Sequence, residues 1–337
     1  MKRPILDFSE IVNDARYMLP VRFHHLIDVT EIRNFIRVEQ HKLSPISTRP
    51  PVIDQIELTN LCNFSCIMCP HSQMTRPKNV MDFNLFKTII DRDAEHTKIL
   101  QLHHFGESLI VKNVAKYFEY VANAGITVGL STNGSLLTKK ISKELIDAGL
   151  SFIVIDCDAS SKETYEKIRV GGNWETLMQG VKDFVSVSND DVYSVLQFIE
   201  QPENQHETQS FLKMCEELGI EPRVKFLMDW AGQMAPDIKS QDDRYACIEP
   251  FFRAFVLCNG DVVSCCRDYD GKIVLGNLEE QSLEDIWNGP KYQAFRKQQI
   301  DVNLENNPLC KNCREWDMHS FRFMSNISPL LLKGERR

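Results

Sequence analysis

Between residues 52 and 227, short apolar runs alternate with longer stretches of helical periodicity, and that alternation admits few folds. The runs are VIDQIEL, KILQLHH, ITVGLST, SFIVIDCD, VYSVLQFI and RVKFL. Helical spacing fills the gaps at Phe83 to Arg92, Val114 to Ala124, Lys139 to Ala148, around Thr164, Trp174 to Val185, and Gln209 to Leu218. About six strand-helix units in succession predict an α/β fold with a parallel sheet and right-handed crossovers. Such a sheet can curve into a partial (β/α)6 barrel, and 337 residues leave room for a small appendage.

The flanks read differently. From Ile11 to Phe35 scattered apolar positions suit short amphipathic helices, so residues 1–50 are expected to form a helical extension. SPISTRPP then stops any helix, because prolines lack the amide donor and push their predecessors into extended conformations. After about residue 230 come cysteine-bearing loops and an Asn259-Gly260-Asp261 hairpin signal, both Asn and Gly tolerating positive φ. Short helices follow near Leu283 to Trp287 and Lys291 to Gln298. The expected organisation is an extension (1–50), a main domain (51–232), a small cysteine-bearing domain (233–325) and a tail (326–337).

A net charge of −8 argues against a surface built for phosphate backbones, so no nucleic-acid partner is expected. Charges interrupt every apolar stretch of MKRPILDFSEIVNDARYMLPVRF, and no later run reaches the length of a membrane span. A cytoplasmic location without a membrane partner is the expectation.

Eleven cysteines in a reducing compartment read as metal or redox sites rather than disulfides. Three stand at 62, 66 and 69, and six lie beyond residue 240, which implies two separate thiol sites. Cys62-Asn-Phe-Ser-Cys66-Ile-Met-Cys69 directly follows the first strand, at the edge where parallel α/β folds carry their chemistry. Three thiolates so spaced can hold three irons of a cubane and leave the fourth open. The alternative is a zinc ion completed by His71.

The CxxxCxxC run after a first strand resembles the defining motif of the radical S-adenosylmethionine (radical SAM) superfamily. The resemblance implies a 4Fe-4S cluster on Cys62, Cys66 and Cys69, with S-adenosylmethionine chelating the open iron. Its reductive cleavage would give a 5′-deoxyadenosyl radical that abstracts a substrate hydrogen. Met68 departs from the pattern, since many members have an aromatic residue there. Further along, Gly106-Glu107 resembles the motif that binds the methionyl ammonium, and Ser131-Thr132-Asn133-Gly134 the segment that binds the ribose. Asp156 and Asp158 end the fourth strand. Arg169, in YEKIRVGG, matches a residue used near the cofactor carboxylate, and Gln197 stands where cofactor or substrate contacts are common. Taken singly, Glu107 reads equally as a helix cap, STNG as a turn and Arg169 as a surface residue. Their order after successive strands favours the site.

Cys247, Cys258, Cys265, Cys266, Cys310 and Cys313 suffice for one four-thiolate cluster with two to spare. Cys247 to Cys265 and the Cys310-Lys-Asn-Cys313 element resemble parts of the SPASM domain, an auxiliary-cluster module. His319 and Ser320 follow where a further thiol would stand, which implies the shortened twitch form with one auxiliary 4Fe-4S cluster. The implied ligands are Cys247, Cys265, Cys310 and Cys313, with Cys266 able to replace Cys265 and Cys258 a weaker candidate. A structural zinc on the same thiolates is the alternative.

These features imply a radical SAM oxidoreductase that dehydrogenates a sugar or aminocyclitol in natural-product biosynthesis, such as that of an antibiotic. A flavodoxin- or ferredoxin-type electron donor is expected. The alternatives are epimerisation, modification of a sugar or of a ribosomally made peptide, and, outside enzymes, an iron-sulfur electron-transfer protein.

Overall fold

A computed structural model of the chain describes residues 43–234, 244–247 and 249–317. The expected N-terminal extension up to residue 42, the tail, His319 and Ser320 lie outside the described residues. Six strands form where the apolar runs place them: β1 (Ile53–Ile56), β2 (Ile99–Gln101), β3 (Thr127–Thr132), β4 (Leu150–Asp156), β5 (Tyr193–Glu200) and β6 (Glu221–Phe226). All neighbours among them pair in parallel. The connecting helices are α1 (Phe83–Asp93), α2 (Ala115–Asn123), α3 (Lys139–Asp147), α4 (Lys162–Ile168), α5 (Trp174–Val187) and α6 (Thr208–Leu218).

Burial on both faces explains why the strands read as continuous apolar runs: Phe152, Ile153 and Ile155 of β4 are all buried although they alternate in direction. The helices start where a side chain can accept an orphan amide. Asp82, Thr138, Ser161 and Asn173 cap α1, α3, α4 and α5 in this way.

The C-terminal cysteine-rich part does not build a sheet of its own. Its first strand, β7 (Ala254–Val256), pairs in parallel with β1, and β8 (Asp261–Val263) and β9 (Val274–Asn277) add on antiparallel. One nine-stranded sheet results, in the order β6-β5-β4-β3-β2-β1-β7-β8-β9. Three helices accompany it: α7 (Glu249–Phe252), α8 (Leu283–Trp287) and α9 (Pro290–Ile300). The hairpin forms at Asn259-Gly260, but only Gly260 takes positive φ (+83°). Asn259 instead hydrogen-bonds Asp261 with its side chain, in a four-residue connection rather than a two-residue primed turn.

The two parts of the sheet are joined by Glu57, which follows β1 and is fully buried. Its carboxylate receives Arg76 Nη1 at 2.7 Å, together with the backbone amides of Phe105 and Cys258. Burial alone would raise its pKa, but Arg76 beside it holds the carboxyl below its ordinary value. Removing one partner leaves the other charge buried and uncompensated. Glu57→Ala is therefore expected to lower stability by about 3–5 kcal/mol, measured by thermal or denaturant unfolding; a loss within the range of surface substitutions would show that the pair is dispensable.

Candidate active site

A cavity of about 280 Å³ opens at the C-terminal edge of β1 to β6. Most residues expected around the first cysteine site line it: Cys62, Cys66, Cys69, Gly106, Glu107, Ser131, Asn133, Asp156, Arg169 and Gln197. Gly134 and Asp158 do not, and Asp158 stands beyond the end of β4 at φ +63°. The lining residues come from the loops or ends of five successive strands, so the sheet itself gathers them.

The cysteine loop is held by backbone contacts on two sides. Ser65 and Ile67 donate to the carbonyls of Val170 and Ile168, and Glu107 donates to Leu61 at 2.7 Å. Gly106 makes that last contact possible. It sits at φ +94°, and a Cβ there would lie 2.5 Å from the Thr59 carbonyl oxygen. The glycine of the Gly106-Glu107 pair is thus the point where the second strand's loop presses on the first.

Glu107 is both a cap and a site residue. Its carboxylate accepts from Leu109 N, Thr132 Oγ1 and Asn133 N, and it still borders the cavity. Burial raises its pKa against those hydrogen bonds. Asp156 accepts from Gln197 Nε2 at 2.6 Å and from Ser131 Oγ at 3.2 Å. Asn133 donates to Asn63 in the cysteine loop. Arg169 is no surface residue: it is buried, pairs with Asp158, and its Nη1 stands 3.7 Å from Cys66 Sγ. Met68 is anchored through its carbonyl by Trp230 Nε1 at 2.8 Å.

A second, smaller cavity is lined by Cys247, Cys265, Cys310 and Cys313, the four thiols expected there. Neither spare cysteine joins them. Cys258 lies against Arg76 and Glu57, and Cys266 lines the first cavity instead. Cys265 and Cys266 lie in the turn after β8 with their thiols in hydrogen-bonding contact, Cys265 on the second cavity and Cys266 on the first. Cys157 and Cys215 are buried in the core.

Both sites fit iron-sulfur clusters. Burial pushes Cys69 and Cys247 up to about 12 and Cys313 to about 11, so the protein alone does not stabilise these thiolates, whereas a metal would. Around the second cavity Arg244 Nε, Ser264 Oγ and Trp316 Nε1 are buried with no hydrogen-bond partner, and cluster sulfurs can accept from such donors. Among the described residues no three cysteine, histidine or carboxylate side chains are gathered as ligands of a single metal ion. His71, the fourth ligand of the zinc alternative, already has Nε2 2.8 Å from the Asn60 carbonyl oxygen.

Several lining residues had not been singled out from the sequence: Gln55, Gln101, His103, His104, Arg223 and Lys225. The signal was present as polar residues interrupting otherwise apolar parallel strands, where both faces should be buried. His103 and His104 are neutral, since burial lowers their pKa values to about 3 and about 4.

Residues 56–215 match a model of the radical SAM superfamily, and residues 247–314 match an iron-sulfur cluster-binding domain model named SPASM. The chain is 26% identical over 266 residues to the S-adenosyl-L-methionine-dependent 2-deoxy-scyllo-inosamine dehydrogenase of Niallia circulans, covering 77% of this chain and 91% of that protein. The structure of BtrN in complex with AdoMet and 2-DOIA superposes with a TM-score of 0.56 at 22% identity, over 79% of this chain and 93% of BtrN. Streptococcus suis SuiB bound to its precursor peptide SuiA gives a TM-score of 0.63 at 14% identity, over 82% of this chain and 77% of SuiB. No helix among the described residues is long and apolar enough to cross a membrane.

A variant with Cys62, Cys66 and Cys69 all replaced by alanine is expected to keep about four irons per chain after anaerobic reconstitution. Iron and sulfide assays check this, and zinc alone in their place would remove the auxiliary cluster from that site.

Proposed function

The chain belongs to the radical SAM superfamily and carries a SPASM-type cluster domain, and on that premise we propose that it dehydrogenates a sugar or aminocyclitol-type molecule. Cys62, Cys66 and Cys69 would hold the radical-forming cluster, and Cys247, Cys265, Cys310 and Cys313 the auxiliary one. When bound, these groups and S-adenosylmethionine supply one-electron chemistry: a 5′-deoxyadenosyl radical to take a substrate hydrogen, and an acceptor for the second electron.

The chain's own residues position the reactants. Glu107 would accept from the methionyl ammonium, Ser131 and Asn133 would meet the ribose, and Arg169 the methionyl carboxylate. Gly106 keeps that cradle against the cysteine loop. Asp156 and Gln197, fixed by their mutual hydrogen bond, face the space beyond. The observation that carries the oxidative reading is the placement of Cys265 and Cys266. One peptide bond separates a lining residue of the auxiliary site from a lining residue of the reaction cavity. Similarity to the 2-deoxy-scyllo-inosamine dehydrogenase of Niallia circulans supports the substrate class, and the reading includes a role in natural-product biosynthesis such as that of an antibiotic. The reading includes a flavodoxin- or ferredoxin-type electron donor and a cytoplasmic setting.

The same observation favours epimerisation as a second reading. The Cys266 thiol borders the cavity, so it could return a hydrogen atom to the opposite face of a substrate radical. There the S–H bond breaks and a C–H bond forms, and one electron and one proton restore the thiol.

Cys62→Ala is expected to abolish 5′-deoxyadenosine formation with dithionite, whereas Cys310→Ala still releases it but makes no product. Full cleavage by the first variant would remove the catalytic assignment, and no cleavage by the wild type would leave an electron-transfer protein. Turnover in D2O separates the two reactions by mass spectrometry. Dehydrogenation leaves the carbon skeleton unlabelled, and quenching by Cys266 adds one deuterium.

A further inference from the structure

The charge along one wall of the cavity narrows the substrate. In the parallel register Asp156 of β4 stands beside Gln197 of β5, which stands beside Arg223 of β6, and Ile199 stands beside Lys225. Arg223 and Lys225 are two residues apart and so project to the same face. Both line the cavity, as does Arg267, which reaches it from the cysteine-rich part.

The cavity is therefore polarised. Its carboxylates, Glu107 and Asp156, belong to the β2 to β4 side and are satisfied by local donors. Its β6 side carries Arg223 and Lys225, with Arg267 nearby and paired to Glu315. Lys225 is enclosed beside Arg223, and burial first and Arg223 next push its pKa well down while Asp156 and Cys266 oppose the shift, so an anion seated there would favour its charged form. Arg223 and Lys225 are also engaged within the protein. The juxtaposition of two basic side chains on this wall, rather than an unpaired group, is what selects a ligand.

Resting on the radical SAM reading of this cavity, we propose that the substrate bears an oxyanion, a phosphate or a carboxylate, held by Arg223 and Lys225. A guanidinium beside an ammonium is suited to such a group and repels a free amine. The molecule oxidised or epimerised would then be a sugar or cyclitol acid or phosphate rather than an unmodified aminocyclitol. The other carboxylate that could meet this pair is the one on S-adenosylmethionine itself.

The test uses the full chain with both clusters loaded and S-adenosylmethionine at saturation, and titrates inorganic phosphate, acetate and glucosamine by calorimetry. Phosphate or acetate is expected to bind the wild type and glucosamine not. Tighter phosphate marks a phosphorylated substrate, and tighter acetate a carboxylate. Arg223→Gln and Lys225→Met should each weaken the anion about tenfold, as loss of a charged hydrogen bond does, while Arg223→Lys and Lys225→Arg restore most of it. Iron content at the wild-type level shows that a variant has folded. Wild type that cleaves S-adenosylmethionine yet binds neither anion would overturn the proposal, as would unchanged affinity in both neutral variants. A larger loss of S-adenosylmethionine affinity than of anion affinity would overturn it too, assigning the pair to the cofactor. Failure of the wild type to cleave S-adenosylmethionine would instead overturn the reading on which the proposal rests.

Discussion

The buried carboxylate of Glu57 is the constraint on which the arrangement of both sites depends. One side chain accepts from the segment after the cysteine loop through Arg76, from the loop after β2 through Phe105, and from the β7 hairpin through Cys258. These three segments carry, in turn, the approach to the first cysteine site, the Gly106-Glu107 pair and the strand leading to the second site. An ion pair in such a place adds little net stability over apolar packing, but its hydrogen-bonding directions are fixed. It therefore sets where the three segments meet rather than merely that they meet.

Most of the fold was legible because parallel strands buried on both faces announce themselves as apolar runs, and VIDQIEL, SFIVIDCD and VYSVLQFI each became a strand. The continuation of the sheet through β7 was not legible. Ala254, Phe255 and Val256 form a short run that fits an independent hairpin equally well, and only β1's free edge decides its partner. Backbone hydrogen-bonding groups on a sheet edge need covering, and sequence spacing does not say which segment covers them.

The first site was legible residue by residue, since strand order fixes which loops meet at the C-terminal edge. Asp156 and Gln197 are neighbours because their strands are. The second site was legible in its number of thiols and in the four that line its cavity. The Cys266 thiol on the first cavity was not, because the turn after β8 that sets it there leaves no trace in composition. Glu57 was hidden for a related reason. A lone acidic residue after a strand reads as solvent-facing unless its distant partner, here Arg76, is known.

The pairing of β7 with β1 has a geometric consequence for access. In a closed barrel the last strand seals against the first, and the diameter is then fixed by strand number and shear. Here that edge of β1 is taken, so β6 stays an outer strand and the gap opposite it is never stitched by backbone hydrogen bonds. Insertions or deletions between β6 and β7 could then alter the bulk of what is admitted without touching the register of a single strand in the parallel sheet. Size selection and radical chemistry would be separable traits, the first free to drift in evolution while the second stays fixed.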